Sequence, residues 1–169
     1  MSSTRKKNLI RAIGVGLVLA AIGAITWYAL HPTPRSPEDI RRQVSFTILA
    51  PGNKDIVLSD WQYNVAEKTL TYTATLQSKK VIITQSTAPL AYKDDRAAYD
   101  RFIGSLKPFA VFMSPLGNVS VIHMLKEENY APGGDSALLL AKDTLLIAHP
   151  PQAITEDDWL TLFSTMRAE

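Results

Sequence analysis

Polar and apolar residues alternate without a break in TLTYTATLQ, Thr69 to Gln77. Leu70, Tyr72, Ala74 and Leu76 fall on one side, and Thr71, Thr73, Thr75 and Gln77 on the other. A period of two with β-branched residues on the wet side marks a half-buried strand. It is read as one arm of a meander, with Trp61 to Val65 before it across Ala66-Glu67-Lys68 and Val81 to Gln85 after it across Ser78-Lys79-Lys80. Val81, Ile82 and Ile83 are apolar on both faces, as a central strand covered on each side requires. SFTILAPGNKD supplies an earlier strand ending at the turn Pro51-Gly52-Asn53. Phe109 to Met113 and Val119 to Leu125 follow, joined by Pro115-Leu116-Gly117-Asn118. SALLLAKDTLLIAHPP predicts a hairpin, Ser136 to Ala141 and Thr144 to Ala148, with Lys142-Asp143 at its tip.

Two stretches change period. DDRAAYDRFIGSL places Ala98, Tyr99, Phe102, Ile103 and Leu106 at helical spacing, with Asp94 and Asp95 at the start, where carboxylates satisfy free amides. ITEDDWLTLFSTMR has Thr155 as N-cap, Asp158 as its capping-box partner and an Ile154 to Trp159 staple. Trp159, Leu162, Phe163 and Met166 form its buried stripe, and Pro150-Pro151 delays its start. The predicted fold class is α+β: one N-terminal transmembrane helix, then a mainly antiparallel β-sheet with two helices packed on it.

The transmembrane element comes from Ala12 to Leu30, about 19 residues without a charge, enough for a helix to cross a hydrocarbon core of roughly 30 Å. The small-x-small sequences Val18-Leu19-Ala20 and Ala21-Ile22-Gly23 lie inside this run, whereas signal-peptide cleavage follows a shorter one, so an uncleaved anchor is expected. Arg11 at one end and Trp27 and Tyr28 at the other are the expected interface residues. Arg5, Lys6, Lys7 and Arg11 outweigh the more distant Arg35, Arg41 and Arg42, which puts the N-terminus in the cytoplasm and the C-terminal domain outside. The expected organisation is a tail over 1–11, the span over 12–30, a proline-rich extended stalk over 31–43 and an extracytoplasmic domain over 44–169.

Charge adds little beyond this. Four of the 18 basic residues precede the span, leaving 14 against 16 acids, a net charge of −2 for the remainder. No basic patch interleaved with aromatics suggests nucleic acid as a partner. The chain has no cysteine, so neither disulfides nor thiolate metal sites enter, and the exported part stands on its core alone.

The order of these elements carries a resemblance. The segments V-I-I-T-Q-S-x-x-P, G-N-V-x-V, T-L-L-I-A and W-L-x-L-F-S-T-M, spread over Val44 to Arg167, resemble bacterial single-pass membrane-anchored proteins with a small extracytoplasmic α/β domain. That domain is similar to the extracytoplasmic domains of some anti-sigma factors. The resemblance implies an envelope location. A tail over 1–11 is too short to sequester a transcription factor, so a direct regulatory role is not expected.

Candidate chemistry is sparse. His31 sits beside the span. His123 shares a strand face with Val119, Val121 and Leu125, which predicts a core histidine. His149 precedes the diproline with no second ligand at metal spacing beside it. Ser136 in Gly133-Gly134-Asp135-Ser136 does not match G-x-S-x-G, and a strand, not a helix N-terminus, follows the glycines. No catalytic residue, metal or cofactor is therefore assigned. The expected function is a binding or sensing module of the cell envelope, engaging a ligand or another envelope protein through Glu127, Glu128, Tyr130, Asp135 and Ser136. Two alternatives are an envelope assembly component such as a pilin-like subunit, and a hydrolase using His149 or His123. A pilin would carry an acid near the start of the apolar helix, and none is present.

Overall fold

The computed structural model describes residues 36–123 and 134–169. The expected span, with Arg11, Trp27 and Tyr28, lies outside the described residues, as do His31, Glu127, Glu128 and Tyr130. Among the described residues, no helix is long and apolar enough to cross a membrane.

The domain is α+β, with four helices among the described residues: α1 Pro37–Arg41, α2 Leu90–Asp94, α3 Arg96–Ser105 and α4 Glu156–Phe163. Its strands are β1 Leu49–Pro51, β2 Ile56–Asn64, β3 Thr69–Leu76, β4 Lys79–Thr87, β5 Ala110–Ser114, β6 Gly117–His123, β7 Asp135–Ala141, β8 Thr144–His149 and β9 Met166–Ala168. Seven strands form one antiparallel sheet in the order β2-β3-β4-β8-β7-β6-β5, while β1 and β9 pair separately. The large sheet is thus two meanders, β2 to β4 and β5 to β8, seamed where β4 meets β8 from Ile82↔His149 to Thr87↔Thr144.

The two faces are covered unequally. On the front, Leu70, Tyr72, Ala74, Val81, Ile83, Val119, Val121, Leu139 and Leu146 join one core with Ile40, Leu49, Trp159, Leu162, Phe163 and Met166, so α1, α4 and the β1–β9 pair form a layer over the sheet. On the back, Ile122, Leu138 and Leu140 meet Tyr99 and Ile103 of α3 in a smaller core. The back of the first meander has no such cover, and Ile82 is 39 % exposed. The prediction that β4 is covered on both sides therefore fails on one side.

The meander and the hairpin form where alternation places them. Lys142 at the hairpin tip has φ 55°, and the Asp143 carboxylate accepts a hydrogen bond from Thr47 N at 3.0 Å. Asp143 is held there by the segment crossing the sheet, which accounts for an otherwise unfavoured turn pair. Thr155 and Asp158 close the predicted capping box, and Asp95 caps α3 by accepting from Ala98 N.

Three further expectations are corrected. The stalk is not extended throughout: Pro37–Arg41 is one helical turn capped by Ser36, and Ile40 is buried in the front core, so the folded unit starts before Val44. Proline at the first helical position suits a helix start, where its missing N–H costs nothing. The C-terminal helix stops at Phe163, and Met166 is buried in β9 instead, because Arg167 pairs with Ala50 and Met166 with Pro51. The earlier strand expected in SFTILAPGNKD is β1, which ends at Pro51 and pairs with β9. The helix count rises from two to four, because single turns such as α1 and α2 are too short to show a period.

Gln85 joins the layers. It is fully buried; its Oε1 accepts from Leu49 N at 2.9 Å and its Nε2 donates to Leu49 O at 2.6 Å. The Tyr72 hydroxyl also donates to Leu49 O, at 2.7 Å, and burial, with the charge of Glu169 next, pushes that phenol well above its ordinary range. The turn after β1 is equally tight: Gly52 N donates to Thr165 O at 2.8 Å, and a Cβ on Gly52 would stand 2.9 Å from that oxygen.

Gln85→Leu keeps the volume but strands the Leu49 N–H in the core, which is expected to cost about 2 to 3 kcal/mol, read from urea unfolding. Partial burial raises the pKa of Asp158, but hydrogen bonds from Lys79 and Thr155 outweigh it and hold the carboxyl below its usual range; Asp143, with Thr47, behaves alike. Depressed carboxyls stabilise the fold above their unfolded values, so stability is expected to fall as pH drops below about 4. An Asp158→Asn variant should start less stable and lose less across that window in pH-dependent unfolding.

Candidate functional site

The chemistry-bearing side chains of the described residues gather where β6 ends and β7 begins. The register pairs His123 with Asp135 and Ile122 with Ser136. In the next hairpin, Ala137 pairs with Ala148, which brings Ser136 opposite His149. Three strands thus deliver two histidines, an acid and a serine to one corner of the sheet.

His123 Nδ1 lies 2.6 Å from Asp135 Oδ1, and its side chain is 71 % exposed. Its ring stacks on Phe109, with centroids 4.0 Å apart and planes 13° off parallel. The expectation of a core histidine is overturned. His123 shares the face of Val119 and Val121, but lies at the strand end, past the margin of the core. Periodicity assigns a face; it does not say where cover on that face stops.

Ser136 and His149 meet on the back of the sheet, with Ser136 Oγ 3.0 Å from His149 Nδ1. A hydroxyl next to an imidazole is half of a nucleophile and base pair. Ser136, however, is only 1 % exposed. A hydroxyl removed from water needs a partner, and the imidazole supplies one while its own ring is held in orientation. Donation from Oγ leaves Nδ1 as the acceptor and the proton of a neutral ring on Nε2.

Of the residues expected at the site, Asp135 meets His123 on the front face and Ser136 meets His149 on the back, so the corner holds two separate pairs. Glu127, Glu128 and Tyr130 belong to the segment outside the described residues. Phe109 carries no functional signal in the sequence, because an aromatic at a strand start reads as core. The pairing of Ser136 with His149 was implicit in the sequence, because a two-residue tip at Lys142-Asp143 fixes which residues face each other. Among the described residues, no group of three or more His, Cys, Asp or Glu side chains is placed to hold a metal.

Removing the Ser136 hydroxyl tests this account. Ser136→Ala is expected to cost about 1 kcal/mol in urea unfolding. It should also shift the tautomer balance of His149, read from imidazole nitrogen chemical shifts, while those of His123 stay unchanged.

Comparison with protein-family models, with curated proteins and with solved structures gives no match.

Proposed function

We propose that this chain is a membrane-anchored, extracytoplasmic binding or sensing module of the bacterial cell envelope. The uncharged run from Ala12 to Leu30, with Arg5, Lys6, Lys7 and Arg11 before it, supports the anchor and its orientation. The binding reading rests on one observation, the exposed cluster of His123, Asp135 and Phe109. An aromatic face, an imidazole and a carboxylate there offer stacking, donor and acceptor groups to a partner arriving from solvent. Their mutual contacts hold them in place beforehand, which lowers the ordering cost of binding.

A hydrolase reading is favoured by one distance, the 3.0 Å between Ser136 Oγ and His149 Nδ1. It would need the buried hydroxyl to be uncovered, so the binding reading stands first.

Cell fractionation and photocrosslinking test the proposal together. The tagged full chain is expected in the membrane fraction, resistant to alkaline carbonate, with its C-terminal domain cleaved by protease added from outside. A soluble chain beginning past Ala20 would overturn the anchor. A photoreactive residue at His123 should give an adduct with another molecule in intact cells, and one at Leu160, exposed on α4, should not. Equal yields at both positions would overturn the binding reading. Labelling of Ser136 by a fluorophosphonate, lost on His149→Ala, would favour the hydrolase.

A further inference from the structure

The two edges of the large sheet are built differently. At one edge, β2 breaks register between Ser59 and Gln62, and Asp60 there adopts φ 56°. A bulge with a charged residue is a standard guard against pairing with another chain. At the other edge, β5 is guarded only at its ends, by Pro108 and Pro115 and by a bulge where Phe109 N donates to the O of Val121, the residue that Ala110 already faces. Its five residues, AVFMS, pair with β6 without interruption from Ala110↔Val121 to Ser114↔Gly117 and include no charge and no proline. Its back face presents Val111, 56 % exposed, and Met113, 81 % exposed.

We infer that β5 is a self-association edge, and that its occupant is the β5 strand of a second copy of this chain, paired antiparallel about a two-fold axis. The strand is complementary to itself. When Phe112 faces the second copy's Phe112, Val111 of each copy falls opposite Met113 of the other on the back face, and Ala110 falls opposite Ser114 on the front. Each exposed apolar side chain thereby gains a cross-strand neighbour, the unit from which sheets draw their stability. The strand brings no like charges together. Pro108 and Pro115, which lack the N–H that a ladder needs, and the bulge at Phe109 confine the pairing to Ala110 through Ser114.

Symmetry favours a second copy over an unrelated strand. An antiparallel pair within one continuous sheet has its two-fold axis normal to that sheet, so both front faces look the same way. α1 packs on the front face, so the two chains enter their domains from the same side of the joined sheet. Two copies held by their N-terminal segments in one bilayer can pair in this way without either domain inverting. Pairing over so few residues is weak in dilute solution, and confinement to a shared surface raises the effective concentration. That last step rests on the anchoring proposed above; the strand complementarity does not.

Disulfide trapping in full-length chains decides the matter, and the absence of native cysteine leaves the background clean. Two differently tagged forms, one Val111→Cys and the other Met113→Cys, are co-expressed, and membranes are oxidised under mild conditions. A disulfide joining the two tags is expected, at a yield well above that from two forms both carrying Met113→Cys, whose side chains are not directly opposite. Adding Val111→Lys to the Met113→Cys form places a charge against the apolar row and should lower the yield by about tenfold, a loss of ~1.4 kcal/mol. Position 111 is exposed, so an unchanged thermal melt is expected and shows that the fold survives. Equal yields from both cysteine combinations, no disulfide, or an adduct of Met113→Cys with a different protein would each overturn the pairing. Fractionation of the same samples separates the two proposals. A soluble chain that still forms the disulfide loses only the anchor, and an anchored chain without it loses only the pairing.

Discussion

One buried amide fixes how the front layer meets the sheet. The side chain of Gln85 offers an acceptor and a donor in the arrangement of a peptide group, and Leu49 pairs with it as it would with a neighbouring strand. β1 needs this. Its other side is occupied by β9, and without Gln85 and Tyr72 the inward N–H and C=O of Leu49 would be buried unpaired, a loss that exceeds the gain from most single apolar contacts. The segment crossing the front thus has one position in which its polar groups are satisfied, and the apolar side chains around it pack in that register.

From that anchor the rest of the layer is determined by contact. Glu169 N donates to Ile48 O at 2.8 Å, and the Glu169 side-chain carboxylate takes Arg41 at 2.8 Å, so Glu169 ties β1 to α1. The Arg41 guanidinium lies 5.2 Å above the Trp61 ring, which itself stacks on Tyr72. The chain of contacts returns to Tyr72, beside Gln85. These polar links are spaced around one apolar core, which explains why a helix of five residues, marginal alone, is held in place.

The back of the sheet follows another economy. α3 covers the second meander, and its N-terminal Arg96 donates to Leu140 O at 2.8 Å, while the first meander presents threonines and Ile82 outward. Exposed chemistry is therefore concentrated at the sheet's margins, at the strand-end corner around His123 and Asp135 and along the uncharged β5. Rigid strands set the geometry of both places, so neither depends on ordering a long flexible segment.

The sequence alone determined the elements with a strong period and a cap: the β2 to β4 meander, the β7–β8 hairpin, α3 and the capping box of α4. In each, the information lies within a few residues, in alternation at period two or in a Thr and an Asp three apart. Even the meeting of Ser136 with His149 was set locally, by the length of one turn. Only the tertiary structure decided which partner β1 takes, where α4 yields to β9, that Ile40 belongs to the core and that His123 does not. Those outcomes depend on residues far apart in the chain, Leu49 with Gln85, Ala50 with Arg167, His123 with Phe109. A pattern read along the chain records which side of an element is apolar, but what covers that side is settled by long-range pairing of polar groups that burial leaves no other way to satisfy.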